Sequence, residues 1–335
     1  MNPLNRRTFA TAAAFAAGSA ALAAPPRSRM GICTTSFMTY RKPRQAEEFL
    51  EYCSSLGAAG IQAPLPKDPA AFRRRVEELG MFYEAMLPLP KNGDAEAFAA
   101  NIRAAKAAGA TCFRTGCLSG RRYETFADWT SWQRFVDESK AAIKTAIPVL
   151  DREKFPMALE NHKDWTTDEL LALLKQYSSE YFGVLVDTGN NIALLDEPYS
   201  LIEAFAPYAV STHIKDMDWE EAPEGFRLSE VPLGEGRLDM KRVIETIRAK
   251  RPATRFILEM ITRNPLSIPC LTDKYWATFP DRKAKDLART LAMVRQRKSK
   301  TALPTFDQLP SIGQWKAEED NVKQCLNFAR EQLAL

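Results

Sequence analysis

The octapeptide FPMALENH, residues 155–162, is an apolar run that ends in a carboxylate, an amide and an imidazole. As a β-strand it sends Ala158, Glu160 and His162 to one face and Met157, Leu159 and Asn161 to the other. A small residue followed by polar ones on a single face is the pattern of a barrel interior that opens into a site. Three later stretches repeat it: FGVLVDTGN (182–190) carries Asp187, VSTHIKD (210–216) carries His213, and RFILEMI (255–261) carries Glu259. Helix-like segments separate them, so they read as successive βα units of a parallel sheet with their chemical groups on one rim.

Upstream, GICTTSF (31–37) is the first expected strand, GIQAPLP (60–66) the second, MFYEAMLPL (81–89) the third and TCFRTGCL (111–118) the fourth. Between them lie helical patterns, one opened by Asp68 with Pro69 at the first helical position, another running Ala-rich from Asp94 to Gly109. Thr166 or Thr167 is expected to cap the helix after the fifth strand, with Glu169 in its first turn. Eight βα units in strict alternation predict an α/β fold, a single (β/α)8 TIM barrel, rather than an open doubly wound sheet. The barrel is expected over residues 30–298. Residues 299–335 form a C-terminal helical extension packed on the barrel or on a partner subunit, which leaves a homo-oligomer open.

The 335 residues are 45% hydrophobic and 26% charged, enough to bury one full core. A net charge of +4 gives no nucleic-acid stripe. Residues 1–29 read as a Tat-type signal peptide and short linker: Arg6 and Arg7, then Phe9, then an Ala-rich run with cleavage expected after Ala23. The expectation is therefore an exported, periplasmic protein with no stable membrane insertion after processing, the run being too short and weak to span. The six cysteines form no CxxC pair, and Cys33 and Cys112 are expected to be buried free thiols.

The chain contains two histidines, and both fall on rim ends of expected strands. Glu160, Asp187, His213 and Glu259 together offer one imidazole and three carboxylates, which would repel one another strongly without a cation between them. A hard, oxygen-rich set of this kind suits one divalent ion, Mn, Mg or Co, and admits Zn, but lacks the thiolates or multiple imidazoles of a dedicated zinc site. Taken singly, Asp187 and Glu259 would pass for rim salt bridges. A phosphodiesterase of the endonuclease IV type needs more metal-binding histidines than two.

ALENHKDWT, LVDTGNN, THIKD and PLGEGRLD, in this order and spacing, resemble the xylose isomerase-like TIM-barrel family of sugar phosphate isomerases and epimerases. In its ketose epimerases the two glutamates also act as the acid/base pair, a role the resemblance assigns to Glu160 and Glu259. The sequence departs from those epimerases at Asn190, where they carry a substrate-contacting histidine.

The expected chemistry is isomerisation or epimerisation of a small carbohydrate or keto-sugar. A divalent ion chelated by adjacent carbonyl and hydroxyl oxygens acidifies the C–H between them and stabilises the enediolate. One carboxylate removes the proton and a second group returns it. Glu160, Glu259, His162 and Lys215 are the expected catalytic residues, Lys215 sharing a strand face with His213. Arg114, Trp219, Glu235 and Arg237 are expected to bind substrate, with Trp219 and Phe226 walling the pocket and Arg114 meeting a substrate anion. A lyase or hydratase acting on 3-keto-glycosides or keto-inositols starts from the same enolate, and export favours it because phosphorylated sugars are scarce outside the cytoplasm. A non-catalytic sugar-binding barrel is the third reading.

Overall fold

The computed structural model describes residues 27–42, 45–296 and 302–335. Residues 1–26 of the expected leader and linker, including Arg6, Arg7 and Ala23, lie outside the described residues. The barrel strands are β1 (Gly31–Cys33), β2 (Gly60–Ala63), β3 (Phe82–Met86), β4 (Ala110–Thr115), β5 (Met157–Glu160), β6 (Phe182–Asp187), β7 (Ala209–His213) and, after an inserted hairpin of β8 (Asp216–Ala222) and β9 (Gly225–Val231), β10 (Ile257–Leu258). A short strand β11 (Leu266–Ile268) follows. The helices are α1 (Ala46–Ser55), α2 (Pro69–Glu78), α3 (Ala95–Ala107), α4 (Arg122–Thr125), α5 (Trp129–Glu153), α6 (Thr167–Gln176), α7 (Pro198–Phe205), α8 (Met240–Lys250), α9 (Asp273–Trp276), α10 (Ala284–Gln296) and α11 (Ser311–Gln332).

All eight barrel strands pair in parallel, in the order β10-β1-β2-β3-β4-β5-β6-β7. A parallel bridge between Ile214 and Leu258 closes the ring, with Ile214 N–H donating to the Ile257 carbonyl at 2.7 Å. Strand parity follows the sequence: Met157 and Leu159, like Val184 and Val186, join the apolar layer between sheet and helices. Ala158 and Glu160 therefore face the barrel interior. At the amino-terminal end, Gly31, Gly60 and Phe82 stand in register. A Cβ at Gly60 would lie 2.4 Å from the Phe82 ring, so only glycine lets that ring plug the barrel floor.

Two boundaries differ from expectation. The first strand stops at Cys33, and Thr34–Phe37 turns into a 3-10 helix, which lets the Thr35 hydroxyl reach Glu259. The seventh strand stops at His213, and the segment read as a loop after it is the β8–β9 hairpin, extended by β11 into an antiparallel sheet of three. The long-range pairing of Leu266–Ile268 with Phe226–Leu228 builds that sheet, and no local pattern announces it.

Capping follows local chemistry. Asp68 accepts from Ala71 N–H at 3.0 Å with Pro69 behind it, and Thr166 and Glu169 form a reciprocal capping box on α6. Helix α11 lies across the loops at the carboxyl end of the barrel. Its buried Glu318 accepts backbone N–H groups of Thr39, Tyr40 and Arg41 at 3.2, 3.2 and 2.8 Å. All six cysteines are free thiols, Cys33 and Cys112 among the buried ones. No helix among the described residues is long and apolar enough to cross a membrane.

Candidate active site

Glu160 closes β5, Asp187 closes β6, His213 closes β7, and Glu259 follows β10 directly. Parallel strands of one barrel end on one rim, so four side chains from four strands meet there. Each offers one ligand atom, and these atoms lie within 4.8 Å of one another, all on buried residues.

His213 is oriented from behind. Its Nε2 lies 2.7 Å from Gln62 Oε1, and its Nδ1 faces Glu160 Oε1 and Glu259 Oε1, each at 3.3 Å. The Gln62 amide nitrogen is turned the other way, donating to Glu84 Oε2 at 3.1 Å. The Gln62 oxygen therefore takes the Nε2 proton, which leaves Nδ1 for whatever the carboxylates hold.

The charges are crowded. Burial alone would raise the Glu160 carboxyl, but Arg114 and His213 bring it below the usual range. Burial likewise opposes the Glu259 carboxylate, and His213 and Lys215 more than offset it. Asp187 moves the other way: burial, together with the Glu259 and Glu160 charges, pushes it up against the pull of Lys215 and His213. Its Oδ2 accepts no hydrogen bond, although Lys215 Nζ lies 2.9 Å away. Three hard oxygens, an aimed imidazole nitrogen and a carboxylate oxygen short of a hydrogen bond fit a divalent cation.

Beside the cluster opens a cavity of about 480 Å³ whose walls include Glu160, Glu259, His162, Lys215, Asn190 and Arg114. The Lys215 ammonium bonds Glu259 Oε2 at 2.5 Å, and although burial opposes its charge, Asp187 and Glu259 hold its pKa above the ordinary lysine value. Arg114 Nε donates to Glu160 Oε2 at 2.7 Å. His162 is the reverse case: burial, aided by Lys163 and Arg114, pulls the imidazole down to about 3, so it stays neutral, and its buried Nδ1 has no hydrogen-bond partner.

Three expected binding residues stand elsewhere. Trp219 is fully buried in the apolar core under the hairpin, as is Phe226, because alternation along β8 and β9 turns both inward. Arg237 is held by Asp218 Oδ1 at 2.7 Å. Glu235 bonds Gln324 of α11. The glycines of LGEGRLD turn the backbone onto Asp216, whose carboxylate accepts N–H groups of Gly234, Gly236 and Leu238 at 3.0, 3.0 and 3.1 Å. This loop braces the hairpin and does not line the cavity.

Sequence reasoning missed Gln62, Lys163, Glu230 and Arg263 at the site. Gln62 had a signal, a lone amide in the apolar strand GIQA. Glu230 and Arg263 had none, since their pairing at 2.6 and 3.1 Å joins residues 33 apart.

Comparison with known proteins agrees with this fold. Residues 50–294 match the model of a family described as xylose isomerase-like TIM barrel. A 3-oxo-isoapionate decarboxylase from Pectobacterium atrosepticum is 31% identical over 125 residues, covering 37% of this chain and 46% of that protein. The chain thus matches less than half of that relative's length. The structure of an L-ribulose 3-epimerase superposes with a TM-score of 0.54 at 14% identity, covering 90% of this chain and 96% of that one. A xylose isomerase-like barrel protein from Mycobacterium smegmatis in complex with magnesium superposes at 0.53 with 16% identity, covering 79% and 98%. At those identities the two structures speak for the fold alone. By the span of the family match, the chain belongs to the xylose isomerase-like TIM-barrel family.

Proposed function

We propose that the protein is a divalent-metal-dependent enzyme that enolises a small keto-sugar, acting as an isomerase or epimerase. The observation that carries the reading is the convergence of Glu160, Asp187, His213 Nδ1 and Glu259 within 4.8 Å beside a cavity of sugar size. These four would hold the ion, which when bound polarises neighbouring carbonyl and hydroxyl oxygens as a Lewis acid.

The rest falls to the chain. Glu160 and Glu259 come from opposite sides of the cluster, so one takes the proton next to the carbonyl and the other returns it. Glu259 has its oxygens engaged by the Thr35 hydroxyl at 2.6 Å and by Lys215 at 2.5 Å. Those donors keep it ionised in the resting state, as a base requires. Lys215 stays charged and stabilises negative charge that grows on the substrate oxygens. Neutral His162 offers a hydrogen bond without adding charge.

A second reading is lyase chemistry through the same enolate. The decarboxylase relative favours it: loss of carbon dioxide from a 3-oxo acid leaves that enolate, which is then protonated, whereas a β-elimination first forms the enolate by loss of the proton and then expels the β-substituent. Export through residues 1–29 belongs to the same proposal and points to an unphosphorylated substrate.

The test pairs metal analysis of the purified protein with incubation in D2O with keto-sugars, followed by NMR, in the native protein and in Glu259→Gln. Near-stoichiometric metal and deuterium uptake next to the carbonyl, lost in the variant, support the enolising mechanism, and the product separates isomerase from lyase. No metal and no exchange across a broad sugar panel would sink it and leave a sugar-binding barrel.

A further inference from the structure

Among the described residues, the cavity carries one cation that no carboxylate contacts. Arg114 is held by Glu160 at 2.7 Å, Arg121 by Glu124 at 2.6 and 2.7 Å, Lys215 by Glu259 at 2.5 Å and Asp187 at 2.9 Å, and Arg263 by Glu230 at 2.6 and 3.1 Å. Lys163 lines the same cavity and is 3% exposed. Its ammonium donates to the Asn190 amide oxygen, and among the described residues no carboxylate lies within hydrogen-bond reach of it. Burying an ammonium without a counter-ion is strongly disfavoured unless something absent from the folded chain alone completes it. Next to it, the buried Nδ1 of His162 also lacks a partner. Burial, with Lys215 and Arg263 nearby, outweighs the more distant Glu230 and Asp187 charges and draws the Lys163 ammonium down to about 8, a cost that an arriving anion would relieve.

We propose that Lys163 is the seat of a substrate carboxylate, with His162 as its second hydrogen-bonding partner, so that the substrate of this cavity is a sugar acid. The proposal rests on the enolising-sugar reading and adds the substrate class to it. One unpaired positive charge matches a monoanion. A phosphate dianion would call on guanidinium forks, and those of Arg121 and Arg263 are already occupied by Glu124 and Glu230. Lys163 follows Glu160 by three residues on the loop after β5, so the carboxylate is held on the Glu160 side of the reacting carbons.

Calorimetric titration tests this with two ligands that differ at one carbon: 2-keto-D-gluconate, and D-fructose, which has a hydroxymethyl group in place of the carboxylate. Both are titrated into metal-stripped and Mn-loaded protein. A charge-assisted contact predicts that the native protein prefers the keto acid by about tenfold to a hundredfold. Lys163→Met should erase the preference and raise Tm, because it removes an uncompensated buried charge, while Lys163→Arg should keep part of the preference. The proposal fails if the acid binds no tighter than fructose, if the preference survives Lys163→Met, or if that variant lowers Tm, which would make Lys163 structural. Tighter binding of D-fructose 6-phosphate than of the keto acid would overturn it in favour of a phosphate seat. Failure of the enolising reading shows separately, as absent metal uptake and absent deuterium exchange, while a carboxylate preference in metal-stripped protein stands on its own.

Discussion

Replacing Gln62 by leucine should weaken divalent-metal binding by about tenfold to a hundredfold, although Gln62 is not one of the four residues that face the ion. His213 is fully buried, with Nε2 2.7 Å from the Gln62 oxygen and Nδ1 turned to the carboxylates. Leucine nearly fills the same space and accepts nothing. A cation on Nδ1 then forces a buried, unsatisfied Nε2–H, at a cost of about 1–3 kcal/mol. In the ion-free variant the imidazole escapes that cost by shedding its Nε2 proton and keeping one proton on Nδ1, where Glu160 and Glu259 accept it. The difference of about 1.4–2.7 kcal/mol is the loss of affinity expected. Calorimetric titration of Mn or Co into metal-stripped protein measures it, with circular dichroism confirming that the variant is folded and Asp187→Asn as a variant that removes a facing carboxylate. Unchanged affinity in folded Gln62→Leu would refute the orientation argument. So would a loss in Cys33→Ser as large as in Asp187→Asn, which would move the ion to the neighbouring group of Cys33, His213 and Glu259.

Two further outcomes concern stability. Glu318→Ala should cost about 3 kcal/mol in urea unfolding, because three backbone N–H groups of residues 39–41 lose their acceptor; a loss under about 1 kcal/mol would show that water replaces the carboxylate and that α11 is not anchored there. Asp164 is buried, accepts from Trp165 N–H at 2.8 Å through Oδ1, and leaves Oδ2 without a partner, so burial pushes its carboxyl up to about 7. The folded state then holds a proton that the unfolded state releases near pH 4, and the stability this contributes is complete below that point and lost as pH rises through about 7. Asp164→Asn, which mimics the protonated form, should therefore gain stability over the native protein by more than about 1 kcal/mol on going from pH 5 to pH 8. Equal effects at the two pH values would mean that the carboxyl is ionised throughout.

Much of the barrel is legible along the chain because each βα unit is a local object. A strand's parity and a helix's cap involve residues two to four apart, as at Glu160 and Ala158 or Thr166 and Glu169. The rim quartet was legible for the same reason: each member is the polar residue at the end of its own apolar strand. Trp219 was misread because an aromatic residue in an apparent loop says nothing about which surface it meets. Once Leu266–Ile268 pairs with β9, that loop becomes sheet and its aromatic residues become core.

The alternation of strand and helix, and with it a parallel barrel whose chemistry stands on one rim, is written in local sequence pattern, since right-handed βα units leave few other ways to bury their faces. Which charges are satisfied is settled in three dimensions alone. Hydrogen bonds and ion pairs act across about 3–4 Å of space with no regard for distance along the chain. His213 finds Gln62 across 151 residues, Lys215 finds Glu259 across 44, and Lys163, one residue from a histidine that the sequence did single out, is left facing the cavity without a carboxylate.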